Sequence, residues 1–195
     1  FIGEIIEDEA FSHTGLTSFI LSNNTKSIGS KAFQYCSELK TFSIDIDNSN
    51  LSEIGTYAFL GTSISSINIP PNVKAIKSFT FDDCQCLENL NISMKSELEE
   101  VDEFSFSIET NLKKITIPKS ILNLFNKFIG TPSLLSDLFK TNQQFCVIES
   151  QENPENCSIV LNFSDENTHN SHQNNCYVAD HELIYADLID NAGLF

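Results

Sequence analysis

A short apolar pattern recurs five times along this chain, and it constrains the fold more than any other feature. Its clearest copy, IGSKAFQYCSELKTFSI, runs from Ile28 to Ile44 with apolar residues at fixed offsets. The copies begin at positions 6, 28, 54, 76 and 101, and a phenylalanine follows in each, at positions 11, 33, 59, 81 and 106. Both columns keep intervals of 22, 26, 22 and 25 residues. A unit of this length cannot bury its own apolar face, so the pattern predicts coils that stack into a solenoid.

Each copy also contains the local signals of a coil. The segment TFSID (41–45) alternates polar and apolar residues, which predicts a β-strand, and the other copies end in the same way. A second apolar pair, such as Leu51 and Ile54, predicts a short strand on the other side of the coil. The intervening SKAFQYC (30–36) predicts one or two turns packed on the core, with Phe33 pointing inward. Strands of successive coils are expected to pair in parallel, about 4.8 Å apart.

The sequence pattern of the copies resembles the BspA-like, or Treponema-type, leucine-rich repeats. The matching residues of the two best copies are Ile28, Gly29, Ala32, Phe33, Cys36, Leu39, Phe42, Ile44, Ile54, Gly55, Ala58, Phe59, Ile67, Ile69, Pro70, Val73 and Ile76. The fifth copy departs from the pattern with Phe104 where alanine is usual. The resemblance covers about residues 5–140. It implies an α/β leucine-rich repeat solenoid, with a parallel β-sheet on the concave face and short helical turns and second short strands on the other side.

The same resemblance implies a class of function. The family it points to comprises bacterial and protist proteins, many at the cell surface, that are associated with adhesion to host proteins or other cells. It brings no catalytic residues to carry over and no cofactor. An expected location at the cell surface or outside the cell therefore rests on the resemblance alone. The chain starts with Phe1 inside a repeat and shows no signal peptide, so we expect it to be a piece of a longer protein.

Composition divides the chain in two near residue 140. Residues 1–140 hold 18 acidic residues and 11 lysines, whereas residues 141–195 hold nine acidic residues and no base. We predict a leucine-rich repeat domain over 1–140, with about five repeats and a degenerate sixth, and an acidic C-terminal cap and tail over 141–195. FCVIE (145–149) and SIVLNF (158–163) are candidate cap strands, and residues 177–190 fit a short helix or a strand pair equally well.

The charge of the chain excludes several classes of partner. Its formal net charge is −16, all 11 basic residues are lysine, and it contains no Trp. Such a surface repels nucleic-acid phosphate and anionic membranes, and it favours a basic or cationic protein partner. No apolar run is long enough to span a bilayer. The oligomeric state does not follow from the sequence.

Two surfaces are candidates for binding that partner. The first, the strand face, consists of the outward positions of the predicted concave sheet: Ser18, Ile20, Thr41, Ser43, Asp45, Ser66, Asn68, Asn89, Asn91, Lys114 and Thr116. It has no aromatic residue, so we expect weak or multivalent binding there, and Asn68 and Asn91 are expected to hydrogen-bond as an amide ladder. The second, the acidic rim, consists of Glu97, Glu99, Glu100, Asp102 and Glu103. It is either a solvated edge or a surface that steers a basic partner or a cation.

The remaining chemistry-bearing residues are cysteines and histidines. Cys36 and Cys84 occupy the same repeat position, where other copies have Thr14 and Thr62, so we expect small buried side chains there. Candidate zinc ligands in the tail are His169, His172, Cys176 and His181, with Cys157. A disulfide among Cys146, Cys157 and Cys176 is plausible if the protein is secreted.

Taken together, the sequence favours a non-enzymatic protein-interaction or adhesion module of a surface or secreted protein. No phosphate-binding glycine loop or nucleophile elbow occurs in the chain. Two alternatives remain open. One is a cytosolic leucine-rich repeat scaffold, and the other is a zinc-binding protein whose site lies in the C-terminal tail.

Overall fold

The computed structural model describes residues 3–102, 104–106, 112–121 and 124, together with the backbone of three strands further along the chain. The described residues form five successive coils, and each coil contains one short and one longer strand. The strands in chain order are β1 Ile5–Ile6, β2 Ser18–Ile20, β3 Ser27–Ile28, β4 Thr41–Ser43, β5 Glu53–Ile54, β6 Ser66–Ile69, β7 Ala75–Ile76, β8 Asn89–Ile92, β9 Glu100–Val101 and β10 Lys114–Pro118. The even-numbered strands line one side of the solenoid, the strand side, and the odd-numbered strands line a second side.

Successive coils pair in parallel and in register. On the strand side, β2 pairs with β4, and β6, β8 and β10 form a continuous ladder. Asn68 lies opposite Asn91, and Ile67 lies opposite Leu90. Between β4 and β6 the ladder is interrupted, but the amide of Ser65 still donates to the carbonyl of Lys40 at 3.4 Å. The predicted parallel solenoid of about five turns is thus confirmed.

Three more strands continue the sheet beyond the last coil: β11 Gln144–Ile148, β12 Ser158–Asn162 and β13 Cys176–Val178. β12 pairs antiparallel with β10, β11 lies between β12 and β13, and both of those pairings are also antiparallel. Two of these strands overlap the candidate cap strands. The boundary near residue 140 and the division into two domains remain predictions, because most of residues 125–195 lies outside the described part.

A third side of each coil, the turn side, consists of consecutive hydrogen-bonded turns instead of the predicted helical turns. In the second coil, bonds within the coil run from the amides of Ala32, Gln34 and Cys36 to the carbonyls of Gly29, Lys31 and Phe33. The alternate amides of Lys31, Phe33 and Tyr35 donate to the next coil, at the carbonyls of Thr56, Ala58 and Leu60. An α-helix bonds its amides to carbonyls four residues earlier in the same segment, so it would not produce this alternation of bonds within and between coils. No helix occurs within residues 3–102 or 112–118 of the described part; the short 3₁₀ segment Lys119–Ile121 and the helical residue Leu124 follow the last strand, so the predicted helical turns of the coils are not confirmed.

The turn side requires an unusual backbone conformation. Its left-handed non-glycine residues, with φ between 51° and 59°, are Glu9, His13, Lys31, Tyr35, Tyr57, Phe79 and Asp83. Residues other than glycine adopt this region at a cost of about 1–2 kcal/mol each. The repeated bonds to the neighbouring coil hold them there, so the strain is sustained by the stacking itself.

A column of stacked phenylalanine rings forms the centre of the solenoid. Phe11, Phe33, Phe59, Phe81 and Phe106 stack in sequence, with centroids 5.2 to 5.6 Å apart and ring planes within 20° of parallel. Phe33, Phe59 and Phe81 are fully buried, as predicted. Edge-to-face contacts from Phe42 to Phe33 and Phe59 join this column to the strand side. Because each ring contacts the ring of the next coil, the core is continuous over all five coils.

Cys36 and Cys84 are fully buried beside this column, which confirms the expectation for them. Each thiol donates to a phenylalanine carbonyl of the preceding coil: Cys36 Sγ to Phe11 O at 2.9 Å and Cys84 Sγ to Phe59 O at 3.1 Å. Burial raises the pKa of the Cys84 thiol to about 12, against the opposing effect of its hydrogen bonds with Thr62. A thiol so far from ionisation is a poor nucleophile and metal ligand, so Cys84 acts as a packing residue.

Candidate interaction surfaces

The strand face presents every predicted residue outward. Ser18, Ile20, Thr41, Ser43, Asp45, Ser66 and Lys114 are exposed, and Asn68, Asn89, Asn91 and Thr116 are half-buried. The residues between them, such as Phe42 and Leu90, are buried in the core. The period-two alternation therefore assigned this face correctly, and its outward side chains are small and polar, apart from Ile20, Asp45 and Lys114.

The predicted amide ladder is present on the strand face. Asn91 donates through Nδ2 to Oδ1 of Asn68 at 3.1 Å, and Asn68 donates through its own Nδ2 to the carbonyl of Ile44 at 3.4 Å. The ladder thus links three successive coils. Side-chain amides that are engaged in this way stabilise the stack, and fewer of their donors and acceptors remain for a partner.

Asp45, at the edge of the strand face, organises its own loop. Its carboxylate accepts bonds from the side-chain amide of Asn48 at 3.0 and 3.2 Å, from the backbone of Asp47 and Asn48, and from Asn23 of the preceding coil. These bonds, that from Asn48 foremost, hold the pKa of Asp45 below its usual value. Among the described residues, no three histidine, cysteine or acidic side chains are grouped closely enough to hold a metal ion.

The acidic rim is partly neutralised by a neighbouring coil. Lys74 lies 2.7 Å from a carboxylate oxygen of Glu97 and 3.5 Å from one of Glu99, and the hydrogen bond to Glu97 is the main cause of its raised pKa. Asp102 accepts the amide of Phe104 at 2.8 Å and so caps the following turn. Glu100 is exposed, and Glu103 lies outside the described residues. The rim thus has fewer open charges than its sequence implies.

Lysine–glutamate pairs join coils elsewhere on the surface too. They are Lys26–Glu4 at 2.9 Å, Lys31–Glu9 at 3.5 Å, Lys77–Glu53 at 2.7 Å and Lys113–Glu88 at 2.6 Å. All are solvent-exposed, so each contributes about 0–1 kcal/mol to stability. Their more important effect is to neutralise lysines, which leaves the acids without such a partner to dominate the surface potential.

The turn side carries a surface that the sequence analysis missed. Tyr57, Phe79 and Phe104 stack along its outside, with centroids 4.9 and 5.7 Å apart and ring planes within 16° of parallel. On the same side, Tyr35 lies against His13 with ring centroids 5.1 Å apart, and it also covers Gly61, where an added Cβ would come within 2.5 Å of the tyrosine ring. We call the five ring-bearing residues His13, Tyr35, Tyr57, Phe79 and Phe104 the turn-side stripe.

The position of Phe104 corrects the expectation that it stands where alanine is usual in the repeat. Ser105 occupies the buried position held by Ala32 and Ala58 in other coils, and Phe104 precedes it on the surface with 55% of its area exposed. The signal that could have revealed the stripe is the residue two places before each core phenylalanine, which is aromatic in the last three copies. Without knowing that Tyr57 and Phe79 have φ > 0, the sequence does not show that this column points outward.

A family model confirms what the coils suggest. The model described as the BspA type leucine-rich repeat region matches residues 4–131, in six copies. The chain belongs to the BspA-type leucine-rich repeat family. The predicted family is thus confirmed, and the matched range includes all five described coils.

Solved structures similar to this BspA-type chain include three repeat proteins. A leucine-rich repeat protein from Bacteroides ovatus ATCC 8483 is 20% identical with a TM-score of 0.36, over 57% of this chain and 40% of that one. A leucine rich cell surface protein from Faecalibacterium prausnitzii A2-165 is 19% identical with a TM-score of 0.39, over 57% and 42%. The pneumococcal vaccine antigen PcpA is 20% identical with a TM-score of 0.29, over 60% and 43%. The chain thus spans about two fifths of each. No curated protein matches it.

The tail sites lie outside what the BspA-type structure describes. His169, His172, His181 and Cys157 fall outside the described residues, and of Cys146 and Cys176 only the backbone is described. The zinc site and the tail disulfide therefore remain predictions. No described helix is long and apolar enough to cross a membrane.

Proposed function

We propose that this solenoid is a non-enzymatic protein-interaction module of a cell-surface or secreted protein, and that it mediates adhesion to a host protein or to another cell. The observation that carries the proposal is the continuous in-register stack. Five coils joined by parallel ladders and a stacked ring column form a rigid scaffold that repeats its outward side chains from coil to coil. Membership of the BspA-type family supports the same conclusion. A scaffold of this kind provides an extended surface for a macromolecular partner.

The strand face and the acidic rim are the surfaces that sequence reasoning assigns to this role. The strand face is suited to weak, repeated contacts, since its outward residues are mainly small and polar and part of its amides is engaged in the ladder. On the rim, Glu100 is exposed and can attract a basic partner at a distance, an effect that salt screens.

Binding to candidate partners tests the proposal directly. The purified chain is immobilised through one terminus, and its association with a panel of extracellular-matrix proteins and intact cells is measured by biolayer interferometry and by adhesion counts. We expect saturable binding to at least one member, and its loss in a Phe59→Ala variant at a temperature where circular dichroism shows that variant unfolded. A natively folded chain that binds no member of the panel would contradict the proposal.

Thiol and metal analysis tests the proposed compartment. An oxidised pair among Cys146, Cys157 and Cys176, in protein isolated from its native source, supports a surface or secreted location. Six free thiols favour the cytosolic scaffold instead. Stoichiometric zinc in the same sample would revive the zinc-binding alternative.

A further inference from the structure

Surface aromatic rings are concentrated on one side of the solenoid. Phe104 is 55% and Tyr35 is 45% exposed, and Tyr57 and Phe79 are half-buried. Among the described residues, the other incompletely buried phenylalanines, Phe11 and Phe19, belong to the first coil and pack against the core. The strand face has no ring. Aromatic side chains dominate the binding energy of protein interfaces, so the turn-side stripe has the composition that the strand face lacks.

The stripe is ordered before any partner arrives. Phe79 has Tyr57 against one face of its ring and Phe104 against the other, so its ring cannot change rotamer without disrupting both stacks. The backbone beneath is fixed as well, because the amide of Phe79 donates to the next coil at 2.9 Å. A surface whose side chains are already immobilised loses little conformational entropy on binding.

The stacking also determines what can bind. Since both faces of Phe79 are covered, only the ring edge is open, and a ring edge carries partial positive charge. A cation is therefore not attracted to this ring through its π face, whereas an aliphatic side chain packs against the edge without penalty. In the middle of the row, at Phe79, the stack accordingly favours apolar side chains over cations.

Acidic residues lie in the same turns as this apolar row. Asp82 ends the turn that begins at Phe79, and its amide donates to the carbonyl of Phe79 at 3.3 Å. Asp102 caps the turn that contains Phe104 by accepting the amide of Phe104. Neither acid has a lysine within ion-pair distance in the described part of the chain, whereas Lys31 and Lys77 are already paired with Glu9 and Glu53. Partial burial raises the pKa of Asp82, so its carboxylate gains from an incoming cation.

We propose that the turn-side stripe is the principal docking surface of this solenoid, and that its partner is a protein segment with apolar side chains flanked by lysine or arginine. The apolar side chains pack on the ring edges of Tyr57, Phe79 and Phe104, and the cations lie against Asp82 and Asp102. This inference rests on the proposed interaction function, and it specifies the surface and the partner chemistry.

Short fluorescein-labelled peptides test the partner chemistry by fluorescence anisotropy. The first alternates lysine and leucine, the second replaces lysine with glutamate, and the third replaces leucine with serine. We expect the lysine–leucine peptide to bind the whole chain at least about tenfold more tightly than either control, and to weaken as salt is raised. A lysine–serine or glutamate–leucine peptide that binds equally well would overturn the proposal.

Variants then locate the binding. Replacing both Phe79 and Phe104 with serine is expected to weaken the lysine–leucine peptide about 30-fold. Met94→Ser, which removes an exposed apolar side chain outside all three surfaces, is the matched control and should leave binding unchanged. Because the double variant could also lose stability, Asp82→Lys provides an independent readout: it should weaken the lysine–leucine peptide and strengthen the glutamate–leucine peptide. Unchanged affinity in both variants would overturn the proposal.

The two proposals fail in different ways. If a partner found on the protein panel binds the Phe79→Ser/Phe104→Ser variant as tightly as the original chain, the stripe is not the docking surface, although the interaction function stands. If the original chain binds nothing on the panel, the interaction function fails. The peptide measurements then decide separately whether the stripe recognises apolar and basic chemistry.

Discussion

The strand side and the turn side join the same coils in different ways. On the strand side, extended segments pair in a regular ladder, and their outward residues are mainly small and polar. On the turn side, alternate amides reach the next coil, and several of those amides belong to left-handed residues such as Lys31 and Tyr35. The strand side follows from an ordinary β-strand backbone, whereas the turn side exists only because the neighbouring coil stabilises it.

The coils contain one set of rings that stabilises the solenoid and another set that we propose binds a partner. Inside the coil, stacked rings hold the solenoid together, while outside on the turn side a second row of rings is stacked in the same way but is open to solvent. The same residue type therefore has two roles, and its distance from the axis decides between them. Substitutions can test whether the inner row supplies stability and the outer row supplies binding.

The largest effect is expected at the inner row. Phe59→Ala removes a fully buried ring from the middle coil and leaves a cavity between Phe33 and Phe81. We expect the free energy of unfolding to fall by about 3–5 kcal/mol, as measured by urea denaturation. A loss below about 1 kcal/mol would show that the ring column does not support the stack.

The close approach of coils on the turn side should give the next largest effect. At Gly29, an added Cβ would lie 2.5 Å from the backbone nitrogen of Asp8, so Gly29→Ala forces two coils apart. We expect a loss of about 1–3 kcal/mol from this overpacking. Gly15→Ala is the matched control, since nothing lies within 4 Å of its Cβ, and equal stabilities of the two variants would contradict the observed spacing.

A smaller effect is expected on the strand side. Asn91→Ala removes the donor that links Asn68 to the next coil, and a hydrogen bond of this kind contributes about 0.5–1.5 kcal/mol. Ser66→Ala on the same face is the control, with an expected change within about 0.5 kcal/mol. Thermal denaturation of the two variants in parallel would show whether the amide ladder contributes to stability.

The smallest effect on stability is expected at the outer row. Phe104→Ala removes a ring that is 55% exposed, so the free energy of unfolding should change by less than about 1 kcal/mol, although one stacked contact is lost. The same substitution should weaken the lysine–leucine peptide measurably. A stability loss as large as that of Phe59→Ala, without any effect on binding, would reverse the roles assigned to the two rows.

The strand side could be predicted from the sequence because its rules are local. Alternation alone placed Asn68 and Asn91 outward on adjacent rungs, and the intervals shared by two apolar columns placed the five core phenylalanines in one column. Both features depend only on the spacing of residues within a repeat and between repeats.

The turn side could not be predicted in the same way. Nothing local in SKAFQYC distinguishes a helical turn from a series of turns with Lys31 and Tyr35 in the left-handed region, because the bonds that favour the latter come from another coil. The outward rings were therefore missed, and the sequence analysis assigned binding to the strand face and the rim. The pairing of Glu97 and Glu99 with Lys74 was also beyond local rules, since it joins residues more than 20 positions apart.

Ring-to-ring contacts between coils can be measured by NMR in a sample labelled on the phenylalanine side chains. The account predicts nuclear Overhauser effects between Phe33 and Phe59 and between Phe59 and Phe81, whose centroids are 5.5 and 5.6 Å apart, and none between Phe33 and Phe81. Absence of the two sequential contacts in the folded protein, or solvent-like chemical shifts for these rings, would contradict the in-register stacking of the coils.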